Sequence, residues 1–256
     1  MTDTWVLLRG LMREQRHWGD FPATLGAALP GAAIVTPDLP GNGQRHAMDS
    51  ATRVCDMVEF CREDLLARGL KPPYRLLALS LGGMVAVEWA SRYPGEIASC
   101  VLINTSMRPY SPFYRRLRWQ NYPALLRQLL LGNQTSQEAL ILRLTSCRHG
   151  AGNGALVAQW VAYQRQYPVS RRNALRQLLS AARFRAPASR PPMPLLVLAG
   201  AQDRLVDPAC SRQLAQAWRT AYANHPEAGH DLPLDQPDWV AHKVAHWLGI
   251  SREELI

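Results

Sequence analysis

The sequence predicts an α/β fold built on a mostly parallel sheet, and three observations predict it. Short apolar runs recur along the chain and stop at turn-forming residues. Helical patterns lie between them. The runs are continuously apolar rather than alternating, as strands buried on both faces require. In order, the runs are "TWVLL" (4–8), "AAIVTPD" (32–38), "YRLLALS" (74–80), "IASCVLINTS" (97–106) and "MPLLVLAG" (193–200). The helical patterns are "HWGDFPATLGAAL", "RVCDMVEFCREDLLARG", "GGMVAVEWASRYP", "ACSRQLAQAWRTA" and, near the end, "PDWVAHKVAHWLG". A small sheet of about six or seven strands is expected.

The alternation breaks after "INTSMRP". Residues 107–190 carry only helical patterns, at about 113–131, 136–146, 154–166 and 171–183, before Pro191, Pro192 and Pro194 return the chain to a strand. The expected organisation is an α/β core of residues 1–106 and 191–256 with a helical lid inserted at 107–190. With 256 residues, 47% of them hydrophobic, the chain can bury a sizeable core, which argues against disorder.

Charge is uneven. The net charge is +9, yet residues 107–190 hold 14 Arg against one acid, Glu138, while the remainder is net acidic. Such asymmetry can mark a module with an anionic partner, an acidic carrier protein or an anionic substrate, or only a solvated surface. No nucleic-acid motif accompanies the charge, so nucleic acid is not expected. Cys55, Cys61, Cys100, Cys147 and Cys210 are odd in number and scattered, without disulfide or zinc spacing. That pattern, with no signal peptide and no membrane span in view, points to the cytoplasm.

At the end of the third run Ser80 stands in "ALSLGG", close to the G-x-S-x-G elbow, in which a sharp strand-to-helix turn lifts a hydroxyl above the sheet edge. Gly82 and Gly83 give the small residues that turn needs, and Ala78 replaces the first glycine. A bland alternative is a Ser that only caps a helix. A nucleophilic Ser needs a base, and the base an orienting acid. His230 follows Gly229 just before the final helix. Among the other histidines, His242 and His246 fall on that helix as solvated residues, and His225 lies near a strand end. Asp203 lies in the loop after "LVLAG". Asp207 reads as a helix cap, and Asp231 is too near His230 to orient its ring easily. The order Ser80, Asp203, His230 is the Ser…Asp…His order of this architecture. Oxyanion donors are expected from the amides of Leu81, after the nucleophile, and Leu11, in the loop after the first strand.

The blocks "LLRGLMREQRHW", "DLPGNG", "ALSLGG", "LAGAQDRLV" and "AGHD", in this order, resemble the α/β-hydrolase superfamily. They are similar to its lid-bearing esterases of the pimeloyl-carrier-protein methyl ester esterase group. The resemblance implies Ser80 as nucleophile, His230 as base, Asp203 as orienting acid and Leu11 and Leu81 as oxyanion amides, without metal or organic cofactor. It implies hydrolysis of a carboxylic ester or thioester through an acyl-serine. Arg9-Gly10 stands where His-Gly is usual, and Ala78 where Gly is usual. These two departures leave room for a non-catalytic binding protein, while C–C hydrolysis or acyl transfer could use the same triad. Tyr110, Phe113, Tyr114, Trp119, Tyr122 and Trp160 of the lid could line an acyl pocket, though packing within the lid core is the stronger expectation for most of them.

Overall fold

A computed structural model describes residues 3–149 and 153–250. Six strands form one sheet: β1 (Thr4–Leu8), β2 (Ala33–Val35), β3 (Tyr74–Leu79), β4 (Ile97–Ile103), β5 (Leu195–Gly200) and β6 (Ala221–His225). Their order is β2-β1-β3-β4-β5-β6, and every neighbouring pair is parallel. The central strands are the continuous apolar runs of the sequence. The edges differ: β2 keeps only three residues of its run and is half-buried, and β6 is largely exposed.

Side-chain alternation along the central strands divides the core in two. On one face Val6, Leu8, Leu76, Ala78, Cys100, Leu102 and Val197 pack against α2 (Val54–Ala67), α3 (Leu81–Arg92) and α9 (Ala209–Trp218). On the other, Trp5, Leu7, Leu77, Leu79, Val101, Ile103 and Leu198 meet α1 (Phe21–Ala28) and α11 (Pro237–Trp247) through Phe21, Leu25, Val240 and Val244. Both faces of the sheet are therefore covered, which is why the strands lack polar alternation.

Between β4 and β5, among the described residues, the regular elements are helices: α4 (Phe113–Arg116), α5 (Tyr122–Leu131), α6 (Gln134–Thr145), α7 (Gly154–Gln166) and α8 (Arg171–Arg183). The single helix expected over 113–131 is broken. Leu117 is extended, and α5 restarts with Pro123 in its first turn, where a missing N–H costs nothing. The short α10 (Leu232–Asp235) precedes α11. A small satellite core of Leu142, Val157, Trp160 and Val161 joins α6 to α7.

The strand order places a topological switch beside β1. The chain leaves β1 for β2 and returns on its other side as β3, with Leu8 paired to Ala78. Crevices at such a switch, beyond the carboxyl ends of the strands, are where open α/β sheets receive ligands. The crossing there is tight. A Cβ built on Gly82 would stand 2.2 Å from the carbonyl oxygen of Leu8, and Gly95 has nothing within 4 Å. Gly82→Ala should therefore lower the free energy of unfolding by about 1–3 kcal/mol, and Gly95→Ala by well under 1 kcal/mol. Paired urea titrations measure both; equal midpoints would contradict this packing account.

Candidate active site

Ser80 is the hinge between β3 and α3. Its φ of 57° and ψ of −115° lie in a region that non-glycine residues rarely occupy, at a cost of order 1–3 kcal/mol. Local bonds hold it there. The Ser80 N–H donates to the Ile103 carbonyl at 3.0 Å. Its own carbonyl accepts from the Thr105 hydroxyl at 2.8 Å and from the Gly83 N–H at 3.0 Å. Small neighbours make the turn possible: a Cβ on Gly10 would lie 3.1 Å from Ser80 Cβ, and one on Gly83 would lie 2.7 Å from Thr105 Oγ1. Ala78 is accommodated without loss of the turn, fully buried in the apolar layer beneath α3.

Asp203 follows β5 and His230 follows β6, so both emerge at the sheet edge from which Ser80 rises. His230 Nδ1 and Asp203 Oδ2 are 2.6 Å apart, with both residues buried. The other carboxylate oxygen, Oδ1, accepts the Leu205 and Val206 N–H groups, each at 2.8 Å. The carboxylate is thereby fixed, and the imidazole is fixed through it. Its Nε2 is the ring atom left to meet a hydroxyl or a leaving group. Leu81 opens α3, so its amide belongs to the first turn, whose N–H groups have no acceptor within the helix. Leu11 is half-buried in the turn after Gly10 and packs on the core. Asp207 accepts the Ala209 N–H at 2.9 Å at the entry to α9, as expected of a cap, and His225 stacks edge-on with Trp239. His242 and His246 are exposed on α11.

Three polar side chains that the sequence reading passed over organise the loops. Asn104, with a φ of 44°, donates through Nδ2 to the Gly229 and His230 carbonyls at 3.0 and 2.7 Å and accepts the Gly200 N–H at 3.0 Å. It binds the histidine loop to the end of β5. The available signal was an Asn directly after a strand, a residue type that tolerates positive φ. Asp235 is buried and accepts the Gly229 and Cys147 N–H groups and the Ser146 hydroxyl, which joins the histidine loop to the end of α6. Asp38, of "DLPGNG", accepts the Gln15 and Gln44 N–H groups at 2.7 and 3.0 Å and so supports the loop after β1. Burial raises its pKa.

Arg9, the residue that departs from the family block, is neutralised. Its guanidinium makes a two-pronged pair with Asp231, at 3.1 and 2.6 Å, and lies 4.6 Å over the Trp18 ring. Arg9 and Asp231 are both nearly inaccessible to water. Thus Asp231 ties the histidine loop to the loop after β1. Nearby, Arg13 pairs with Glu138 of α6 at 2.8 Å and stacks on Trp160. His17 lies against Arg13 and Trp160. Burial, then the charges of Arg13 and Arg9, lower its pKa well below the ordinary value, so it is neutral.

The six aromatic residues of the helical segment named as pocket candidates divide differently from the expectation. Trp160 is buried, and Tyr110 packs on Trp218 while donating its hydroxyl to the Pro187 and Ala188 carbonyls. Phe113, Tyr114, Trp119 and Tyr122 are exposed rather than packed in a core. The short, interrupted α4–α5 stretch has no second layer above it to bury them. Two surface cavities, of about 400 and 320 Å³, are lined by residues other than Ser80, Asp203 and His230. Among the described residues no group of His, Cys, Asp and Glu could hold a metal ion, and no helix is long and apolar enough to cross a membrane.

Comparison with known proteins agrees with the fold. Residues 5–243 match the family described as the alpha/beta hydrolase family. A pimeloyl-[acyl-carrier protein] methyl ester esterase of Chromobacterium violaceum is 31% identical over 223 residues, which is 84% of this chain and 83% of that protein. A biotin biosynthesis bifunctional protein of Teredinibacter turnerae is 36% identical over 102 residues, 40% of this chain, and the match spans 17% of that longer protein. Among solved structures, an enol-lactonase of Burkholderia xenovorans superposes with a TM-score of 0.79 at 19% identity, covering 97% of this chain and 92% of that one, which speaks for the fold alone.

Removing one partner of the buried Arg9–Asp231 pair strands a charge. Asp231→Asn should lower the unfolding free energy by about 3–5 kcal/mol, and the double change Arg9→Met with Asp231→Leu should cost distinctly less. A double-mutant cycle in urea of Arg9→Met, Asp231→Leu and their combination checks this; additive losses would show that the two side chains do not interact.

Proposed function

The chain belongs to the alpha/beta hydrolase family, and from the geometry of its site we propose that it is a serine hydrolase acting on carboxylic esters or thioesters. The observation that carries the reading is the conjunction of a strained serine at a strand-to-helix turn with a histidine fixed by a buried carboxylate at the same sheet edge. Ser80 Oγ attacks the acyl carbonyl as His230 Nε2 takes its proton. Asp203 holds Nδ1 protonated and stabilises the imidazolium that forms. The amides of Leu11 and Leu81 receive the oxyanion, where fixed donors in a water-poor site are worth most. His230 then protonates the leaving alcohol or thiol. Water activated by the same nitrogen releases the acid and restores Ser80. The scheme uses no metal or organic cofactor.

The helices between β4 and β5 serve as the lid in this reading. They are fastened to both loops of the site, through Arg13–Glu138 and Asp235–Ser146, which supports that reading. A non-catalytic scaffold would have no need of the orientation that Asp203 imposes on His230. The test is turnover of short-chain nitrophenyl esters, run beside a thioester and a diketone. Ser80→Ala and Asp203→Asn should each reduce kcat by about 10³-fold or more, with little change in KM. Wild-type turnover unaffected by Ser80→Ala would refute the assignment, and faster cleavage of the diketone would move it to C–C hydrolysis.

A further inference from the structure

We propose that the α4–α5 surface is a docking face for an anionic lipid bilayer. The helix α5 reads "YPALLRQLLL", with Arg127 its one charged residue. Tyr122, Leu126 and Leu130, four residues apart, form a stripe on one side of the helix. All three face solvent, Leu126 and Leu130 at 56% and 64% exposure, and Leu131 beside them reaches 82%. Phe113 and Trp119, just before the helix, are 73% and 59% exposed. This is a contiguous stretch of chain with large apolar side chains in water, far beyond the isolated surface leucine that needs no explanation.

The charge around it selects the partner. The single carboxylate of residues 107–190, Glu138, is buried against Arg13. Arg127 on α5 and Arg204, whose carbonyl accepts from Asn121 at its start, are exposed and, among the described residues, have no carboxylate partner. A second copy of the chain would set cationic surface against cationic surface. A protein partner fits less well than a bilayer, because leucine is under-represented among the residues that anchor protein interfaces. Leucines on one face, Trp and Tyr at the margin and arginines without acids are the composition of a segment that lies in the headgroup region of anionic lipid. The face is also held at the site: the Arg118 N–H and Asn121 Nδ2 donate to the Leu205 and Arg204 carbonyls, and Arg118 Nη1 donates to the Asp203 carbonyl. Contact with lipid is independent of the serine chemistry and is measured without a substrate.

The experiment is co-sedimentation of the full chain with vesicles of phosphatidylcholine alone or mixed with phosphatidylglycerol, beside pull-down on an acidic acyl-carrier protein. Binding to the mixed vesicles should exceed that to phosphatidylcholine by about 10-fold or more and weaken as salt is raised. Leu126→Glu with Leu130→Glu should reduce it by at least about 10-fold. Circular dichroism checks that this variant is folded, and Leu131→Glu, at the most exposed position, repeats the test with a single change. Absent vesicle binding, equal binding to both lipids, or binding that these variants leave intact would overturn the proposal. Capture of the acidic protein without vesicle binding would overturn it in favour of a protein partner.

Discussion

The constraint on which the structure depends is the reversal of the chain at Ser80. A strand must end and a helix begin within one residue, with the helix crossing β1 at backbone contact distance. Ser80 therefore takes a backbone conformation that costs order 1–3 kcal/mol, and the surroundings over-determine it: the Ile103 carbonyl, the Thr105 hydroxyl and the absence of side chains at Gly10, Gly82 and Gly83. The strain has a consequence for chemistry. It puts Ser80 at the carboxyl end of β3, immediately before the first turn of α3, whose N–H groups have no acceptor within the helix.

Everything else at the site is loop, and loops have to be located by specific bonds. Asn104 joins β4, β5 and the histidine loop. Asp235 joins that loop to α6. Arg9 and Asp231 join it to the segment after β1. Each of these bonds is buried, where a satisfied polar group rigidifies and an unsatisfied one is expensive. The helical segment is fastened by the same kind of contact, with Arg13–Glu138 at one end and Gln177, which accepts the Met12 N–H and donates to Asn42 and Ser50, at another. Its interior is thus keyed to the core, while α5 is held mainly by its ends and keeps its apolar side chains in water.

What could be read from the sequence follows from this division. The central strands, the elbow and the candidate triad were legible because their signals are local: apolar runs, glycines at a turn, a His after a Gly near the last helix. The edge strand β2 is shorter than its run because the pairing stops at Val35, before the polar Thr36 and Asp38 and a Pro37 that has no N–H to donate. The helix expected at 113–131 was over-extended because apolar spacing persists through Leu117, where the backbone is extended. The pairing of Arg9 with Asp231 was not legible at all, since the residues are 222 positions apart and each taken alone resembles a surface charge. Exposure of Phe113, Trp119 and the α5 leucines was likewise hidden, because an apolar helix predicts a covering layer that the fold does not supply.

The most direct measurement is the position and rate of covalent labelling by a fluorophosphonate, followed by peptide mapping. The account predicts one phosphonyl group per chain, on Ser80, formed about 10³-fold or more slowly when His230 is replaced by Ala. A label on another residue, or a label on Ser80 that forms equally fast without His230, would contradict it.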